Sequence, residues 1–314
     1  MKKPISRILS TVFMSAVLAV PGVSDIVKSY SHKYSYGTMV RDMVELKNEY
    51  GDNIQIGNFG ESVEERKLMY AIIGNADKDI LFTGGMHARE YIGSVCNMVI
   101  IETILKGIKE NNPEIKELLN NYRIVFLPMI NPDGINLSQN GFESVSEEYK
   151  EQVRDIYLYK DLKEIKGNIN GVDINRQFEQ GWNNAPTLTK GEDGYKGEKP
   201  LQEPEAIALF NFVQSGQLNV KAHIGIHSQG EVIYYNPEQT GAKELVETLK
   251  KSTGYTPIKD LQADGNFSAF LETLKIATAT LEVGLSEGHS RVVPEEQGEE
   301  IKKRMQQIPS AIAK

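Results

Sequence analysis

Apolar residues recur along the chain with two periods, one typical of strands and the other typical of helices. Short apolar runs predict strands at 53–59, 67–73, 79–83, 122–130, 220–227 and 276–283. Helical spacing and capping signals predict helices at 92–109, at 144–159 with Ser144 and Glu147 as a capping box, from Pro204 onward, at 238–252 and at 294–307. Residues 131–134, Asn-Pro-Asp-Gly, have the composition of a turn. Because strands and helices alternate, we expect one α/β domain whose sheet is covered by helices on both faces.

The start of the chain has a different pattern. Lys2, Lys3 and Arg7 precede an apolar or small-residue stretch at 8–20, which ends at Pro21. A basic start and a short apolar run are typical of a secretory signal peptide, whereas a membrane-spanning helix needs about 20 apolar residues. We therefore predict a signal peptide at 1–24 and a mature domain at 25–314, located outside the cytoplasm with no stable membrane anchor. The alternatives are an uncleaved anchor and a buried N-terminal helix.

Charge and cysteine content narrow the possible functions. Acidic residues outnumber Lys and Arg by 43 to 35, which gives a net charge of -8. A nucleic-acid-binding protein needs a basic surface, so this class is disfavoured. Cys96 is the single cysteine, so a metal site in this chain has to use histidine and carboxylate ligands.

Candidate metal ligands follow two of the predicted strands. His87 comes after the strand 79–83 and two glycines, Glu90 comes three residues later, and His227 ends the strand 220–227. Imidazole and carboxylate groups are zinc ligands, and ligands collect beyond the carboxyl ends of strands in such sheets. A His-x-x-Glu pair alone has a simpler explanation, since a glutamate at a helix N-terminus is favoured by the helix dipole. His223 lies roughly 13 Å from His227 along the strand, so we expect it to be a buried sheet histidine.

Glu282 lies near the end of the strand 276–283, on the same face as Thr278 and Thr280. A glutamate at a buried position is costly unless it is paired or has a chemical role, and a salt bridge is the alternative explanation. Three protein ligands leave one position on a tetrahedral zinc ion for water, whose pKa the ion brings near 7. A nearby glutamate would accept the proton of that water and return it to a leaving amine. These residues therefore favour amide hydrolysis.

Short motifs run through the chain in a fixed order. They are Gly-Glu-Ser-Val-Glu-Glu-Arg at 60–66, Gly-Met-His-Ala-Arg-Glu at 85–90, Asn-Pro-Asp-Gly at 131–134, Gly-Val-Asp-Ile-Asn-Arg at 171–176, His-Ser at 227–228 and Thr-Leu-Glu at 280–282. This order resembles the zinc carboxypeptidase family of metallopeptidases, over about residues 34–312. The resemblance implies a single α/β domain with a mixed, mostly parallel twisted sheet and helices on both faces.

The resemblance also implies roles for individual residues. One Zn²⁺ ion would be bound by His87, Glu90 and His227, and Glu282 would be the catalytic general base. The implied substrate-binding residues are Arg89, Asn175, Arg176, Ser228 and Gln229. Among them, Asn175 and Arg176 would hold the terminal carboxylate of a peptide, since the arginine fork suits a carboxylate. For Arg89 and Arg176, a surface ion pair is the alternative.

Two features depart from the family pattern. The family places an arginine about a dozen residues after Asn-Pro-Asp-Gly to polarise the scissile carbonyl, but 135–146 contains neither Arg nor Lys. Lys166 is our predicted catalytic substitute, and Arg154 is the alternative. The family's mobile tyrosine has no counterpart in 265–276, which contains Phe267 and Phe270 instead. Because that tyrosine mainly helps to bind substrate, its absence indicates an altered specificity.

The segments 166–178 and 227–230 resemble the bacterial branch of the family, which cleaves γ-D-glutamyl-diaminopimelate bonds in cell-wall peptides. The expected function is therefore that of a secreted, monomeric zinc peptidase that cuts near the C-terminus of a peptide or murein stem peptide. The alternatives are a broad-specificity metallocarboxypeptidase acting on ordinary peptides, an amide deacylase and an inactive peptide-binding protein.

Overall fold

The computed structural model describes residues 25–27 and 33–314. Its α-helices are α1 (Tyr36–Tyr50), α2 (Ile92–Lys109), α3 (Pro113–Asn121), α4 (Pro132–Asn140), α5 (Glu147–Tyr157), α6 (Pro204–Gln214), α7 (Ala242–Thr253), α8 (Phe267–Thr273) and α9 (Gly298–Ile312). Its strands are β1 (Gln55–Glu61), β2 (Lys67–Ile73), β3 (Asp79–Gly84), β4 (Arg123–Leu127), β5 (Val220–His227), β6 (Val232–Tyr235), β7 (Thr256–Lys259) and β8 (Ala277–Glu282).

The described strands form one sheet of eight strands, in the order β1-β2-β4-β3-β5-β8-β6-β7. The four central strands β4, β3, β5 and β8 are mutually parallel. On one side of these four strands, β2 pairs antiparallel with β4, and β1 pairs antiparallel with β2. On the other side, β6 pairs antiparallel with β8. The carboxyl ends of the central strands therefore meet along one edge of the sheet.

Both faces of the sheet are buried under helices, as predicted. Every residue of β3 is buried, which requires apolar partners on both sides of the strand. Ile80 and Phe82 pack into a core that includes α1, α2, α3, α7 and α9. Leu81 points to the other face and packs into a core that includes α6 and α8. Cys96 of α2 is buried in the first core, as expected for a small apolar residue.

Two local predictions are wrong. Residues 131–134 begin α4 instead of forming a turn, because Asn131 caps the helix with its side chain and Pro132 occupies the first helical position. Ser144 and Glu147 do not form a capping box. The hydroxyl of Ser144 donates to the carbonyl of Gly141, and α5 begins at Glu147 with Ser146 as its N-cap.

Several elements have no counterpart in the predictions. These are the helices α1, α3 and α8 and the short strands β6 and β7. The predicted signal peptide at 1–24 lies outside the described residues. Within the described ranges, no helix combines the length and the apolar character that crossing a membrane requires.

Candidate active site

The predicted chemical groups lie at the carboxyl ends of three adjacent parallel strands. β3 pairs with β5, and β5 pairs with β8. His227 ends β5 and lies in register with Glu282, which ends β8. His87 follows β3 by three residues, and Glu90 lies in the turn that leads into α2. The strand order therefore brings the two motifs and the glutamate of β8 to one edge of the sheet.

The loop that carries His87 is fixed by close packing. Gly85 has a φ of +58°, and a Cβ atom at this position would lie 2.3 Å from Ser94 Oγ. A side chain is therefore excluded both by the backbone conformation and by space. The carboxamide of Asn131 donates to the carbonyl of Met86 at 3.2 Å, and the amide of Ala88 donates to the carbonyl of Lys166 at 3.0 Å. These contacts hold the loop between the sheet and the segment that contains Lys166.

His87, Glu90 and His227 form a compact triangle of donor atoms. Glu90 Oε2 lies 2.9 Å from His87 Nδ1 and 2.9 Å from His227 Nδ1, and the two Nδ1 atoms are 3.1 Å apart. Zinc binds nitrogen and oxygen ligands at about 2.0–2.1 Å, so two tetrahedral ligands lie about 3.3 Å apart. All three side chains are buried. Their chemistry and spacing fit one zinc ion. Among the described residues, these three side chains form a group of histidine and acidic residues that could hold a metal.

Asp173 supports this triangle from behind. Its Oδ1 lies 3.1 Å from His87 Nε2, the nitrogen that faces away from the other two ligands. Burial alone would raise the pKa of Asp173, but Lys166 and His87 hold it well below its usual range. An ionised carboxylate behind a ligating histidine fixes the imidazole orientation and increases its basicity. Burial alone would also raise the pKa of Glu90, but His87 and His227 hold this pKa well below its usual range.

Glu282 is in a different electrostatic environment from Glu90. Burial, and then repulsion from the Glu90 carboxylate, raise the pKa of Glu282 to about 8. A carboxylate at this position is therefore poised to take up a proton near neutral pH, which general acid–base catalysis requires. His223 lies further back on β5, where its Nε2 is 2.9 Å from Thr83 Oγ1. Burial lowers the pKa of His223 to about 3, so it is neutral, as expected of a sheet histidine.

A cavity of ≈ 220 Å³ opens in front of these groups. It is bounded at one end by His87, His227 and Glu282, and Lys166 and Arg176 provide its lysine and arginine side chains. The rest of the described lining is polar and comprises Asn175, Tyr234, Tyr235, Asn236, Asp260, Gln262, Asp264, Asn266, Ser268, Glu272, Thr278 and Thr280. Thr278, Thr280 and Glu282 thus share one face of β8, as predicted.

The two predicted carboxylate-binding residues both line this cavity. Asn175 is anchored because its Oδ1 accepts a hydrogen bond from the amide of Phe267 at 2.9 Å. Arg176 donates to the carbonyl of Asn175 at 2.8 Å, and its second terminal nitrogen lies 3.1 Å from Asp264 Oδ2. The guanidinium that would receive a substrate carboxylate is therefore paired with an acidic side chain of the protein.

Lys166 and Arg154, the two candidates for polarising the carbonyl, occupy very different positions. Lys166 lines the cavity, and its Nζ lies 3.0 Å from Asp173 Oδ2. Arg154 lies on α5, half-exposed, and pairs with Glu143 at 3.0 Å. Of these two cations, only Lys166 lines the cavity that His87 and His227 also line.

The other three predicted substrate-binding residues do not line the cavity. Arg89 is buried and donates both to Asp193 Oδ2 and to the carbonyl of Glu164, each at 2.7 Å. Ser228 is also buried, and its amide lies 3.4 Å from Glu90 Oε2. The side-chain oxygen of Gln229 accepts a hydrogen bond from the amide of Ser286 at 3.1 Å.

Some motif residues have a structural role instead of a place in the site. Asp133 accepts hydrogen bonds from the hydroxyl of Ser62 at 2.9 Å and from the amide of Glu64 at 2.8 Å, and Arg66 pairs with it at 2.5 Å. The motifs at 60–66 and 131–134 are thus joined to each other. The opposite charges of Arg66 in one motif and Asp133 in the other are the sequence feature that could have indicated this contact.

Other residues of the site are not predicted from the sequence. Tyr234 and Tyr235 reach the cavity from β6, a strand that was not predicted. Asp173 belongs to the motif at 171–176, 86 residues from His87, and no local pattern in the sequence indicates that it lies behind this histidine. Phe267 and Phe270 are buried in the second core, so neither occupies the position of a mobile aromatic residue.

Comparisons with known proteins agree with this geometry. The model of the zinc carboxypeptidase family matches residues 39–289, which is most of the chain. The chain belongs to the zinc carboxypeptidase family. The family uses zinc, and the triangle of His87, Glu90 and His227 is a group that could hold this ion.

Curated relatives of this family member include peptidases of different specificities. One is the γ-D-glutamyl-L-diamino acid endopeptidase 1 of Lysinibacillus sphaericus, which is 29% identical over 262 residues that cover 80% of this chain and 65% of the relative. Another is the carboxypeptidase O of Bos taurus, which is 26% identical over 239 residues, 71% of this chain and 59% of the relative. The matches thus span less than two thirds of the length of these relatives.

Solved structures confirm the fold. The thrombin activatable fibrinolysis inhibitor superimposes with a TM-score of 0.73 at 20% identity, over 92% of this chain and 76% of that chain. The murein-tripeptide amidase MpaA of Escherichia coli O157 superimposes with a TM-score of 0.51 at 16% identity, over 81% of this chain and 91% of that chain. The predicted single α/β domain with a mixed, mostly parallel sheet is therefore confirmed.

Proposed function

We propose that this protein is a zinc-dependent peptidase that hydrolyses the γ-D-glutamyl bond to a diamino acid in cell-wall peptides. The observation that carries the hydrolytic part is the juxtaposition of the His87, Glu90 and His227 triangle with Glu282 in one cavity. Zinc held by such ligands polarises a carbonyl group and makes water nucleophilic at neutral pH.

The positions of the protein side chains support the following roles. Glu282, whose pKa is raised by burial to about 8, accepts a proton from the attacking water and delivers it to the leaving amine. Lys166 lies in the same cavity and stabilises the negative charge that develops on the carbonyl oxygen. Asn175 and Arg176 bind a carboxylate of the residue that leaves.

The substrate class rests on a relative and on sequence resemblance. The γ-D-glutamyl-L-diamino acid endopeptidase of Lysinibacillus sphaericus matches over 80% of this chain, and the segments 166–178 and 227–230 resemble the same branch. A polar cavity agrees with a charged leaving residue better than with an apolar one. The basic and apolar pattern at 1–24 supports action outside the cytoplasmic membrane, where such peptides occur.

Purified, zinc-loaded protein tests this proposal. It should release the diamino acid from γ-D-glutamyl-L-diamino acid peptides faster than it releases a residue from blocked, α-linked dipeptides of ordinary amino acids. Removal of zinc with a chelator should abolish the activity, and added zinc should restore it. A preference for the ordinary dipeptides would support a broad-specificity carboxypeptidase. Absence of hydrolysis from zinc-loaded, folded protein would contradict the peptidase proposal altogether.

A further inference from the structure

The active-site cavity continues well beyond the metal ligands, along the face of β8. Glu282, Thr280 and Thr278 line it in turn. At about 3.3 Å per strand residue, Thr278 lies roughly 13 Å from Glu282. Glu272 of α8 lies at this far end, where its Oε1 accepts from Thr278 Oγ1 at 3.3 Å and its Oε2 accepts from Asn236 Nδ2 at 2.8 Å. The catalytic end and Glu272 are thus the two ends of one cavity.

The charges of the described lining residues are unevenly balanced. Lys166 pairs with Asp173 at the metal end, and Arg176 pairs with Asp264 further along. Both of these cations therefore already face a carboxylate. In the described part of the chain, neither Asp260 nor Glu272 has a lysine or arginine nitrogen within 4.0 Å. Among the described residues, the carboxylates at the far end of the cavity thus have no ion pair with a lysine or arginine.

Glu272 is better placed than Asp260 to meet a ligand. Both of its carboxylate oxygens are held by neutral side chains from β8 and from the end of β6, which fixes their position without neutralising their charge. Asp260, by contrast, accepts a hydrogen bond from the amide of Gln262 in its own loop at 2.9 Å. A fixed, ionised carboxylate makes a strong hydrogen bond to a ligand ammonium group.

The charge of Glu272 favours one kind of side chain on the leaving residue. A neutral side chain would leave this carboxylate unpaired in the cavity, whereas an ammonium group would pair with it. In an extended lysine, the backbone nitrogen and the side-chain nitrogen are about 7 Å apart, so such a residue presents its ammonium group well away from the bond that is cut.

We propose that Glu272 is a specificity-determining residue that accepts a hydrogen bond from the side-chain ammonium of the leaving residue. The leaving residue is accordingly a diamino acid. This inference rests on the proposed function, and it assigns the recognition of the second amino group to one side chain of this chain.

The test compares two substrates that differ only in the ammonium group, γ-D-glutamyl-L-lysine and γ-D-glutamyl-L-norleucine. The wild-type protein should prefer the lysine substrate in kcat/KM by roughly ten- to a hundredfold, which corresponds to one hydrogen bond to a charged group. In Glu272→Gln, which keeps an oxygen for the donors around it, most of this preference should disappear. Glu247→Gln is the matched control, because Glu247 is an exposed residue of α7 outside the cavity.

Each result decides the question. Equal kcat/KM values for the two substrates in the wild-type protein would overturn the inference without any variant, and so would a preference that survives Glu272→Gln. If neither substrate is hydrolysed, the proposed function fails while binding still tests Glu272. Calorimetry with free L-lysine and L-norleucine should then show tighter binding of lysine, lost in Glu272→Gln and kept in Glu247→Gln; equal binding would refute the role of Glu272.

Discussion

The two ends of the active-site cavity are built in different ways. At the metal end, His87, Glu90 and His227 are buried and their donor atoms lie about 3 Å apart. At the far end, Asp260 and Glu272 are partly exposed and contact neutral groups. The metal end lies at the carboxyl ends of the central parallel strands. The acidic residues of the far end come from α8 and from the segment after the short outer strand β7, and Thr278 of β8 contacts Glu272 there.

This difference separates chemistry from specificity. Groups at the metal end depend on one another, because buried polar groups that lose a partner are costly. Asp260 and Glu272 at the far end are partly exposed and lie outside the hydrophobic cores, so their replacement should leave the metal end intact. Changes at the metal end should therefore act on kcat and on zinc binding, and changes at the far end should act on the choice of substrate.

The largest effect is expected from Glu282→Gln. The amide cannot take up the proton of the attacking water, so kcat should fall by about 10²- to 10⁴-fold. Zinc content should remain close to one ion per chain, because Glu282 is not one of the three ligands. Steady-state kinetics and metal analysis of the same preparation test both statements, with Glu247→Gln as the control. Retention of full activity would show that Glu282 is not the general base.

A smaller effect is expected from Asp173→Asn. Asp173 Oδ1 lies 3.1 Å from His87 Nε2, and the loss of its charge should weaken zinc binding by about 10- to 100-fold. Competition with a chromogenic chelator measures the affinity. Asp79→Asn is the matched control, because Asp79 is also buried and pairs with Arg123 far from the metal ligands. If both variants lowered the zinc affinity equally, the effect would be one of stability and not of support for His87.

The same contrast explains what the sequence could reveal. The ligands His87 and Glu90 lie within one short motif after a strand, so their convergence follows from local structure and the rule for parallel sheets. Asn236, Asp260 and Glu272 come from separate segments, and isolated polar residues of these types are common on any surface. Their convergence depends on β6, β7 and α8, which are too short to show a clear hydrophobic period.

Errors in the predicted elements have a related cause. The Asn-Pro-Asp-Gly segment has the composition of a turn, but Asn131 is also a good N-cap and Pro132 fits the first position of a helix. Composition alone cannot separate the two. In the structure, Asn131 Oδ1 accepts a hydrogen bond from the amide of Gly134 as the N-cap, and its Nδ2 donates to the carbonyl of Met86, which is remote in sequence.

The smallest effect is expected from Asp264→Asn, at the boundary between the two ends. Asp264 Oδ2 lies 3.1 Å from the Arg176 guanidinium and competes with a substrate carboxylate for it. Both side chains are about a fifth exposed, 21% for Arg176 and 20% for Asp264, so the pair is screened by solvent. The variant should therefore lower KM for substrates with a free carboxylate on the leaving residue by about fivefold or less.

Substrates in which that carboxylate is amidated are the matched comparison for Asp264→Asn. Their KM should not change, because an amide gains little from a freed guanidinium. Measurement of KM for acid and amide pairs of one γ-D-glutamyl peptide separates the two cases. An equal shift for both would mean that Arg176 does not bind this carboxylate, and the assignment of Arg176 and Asn175 to the leaving residue would have to be withdrawn.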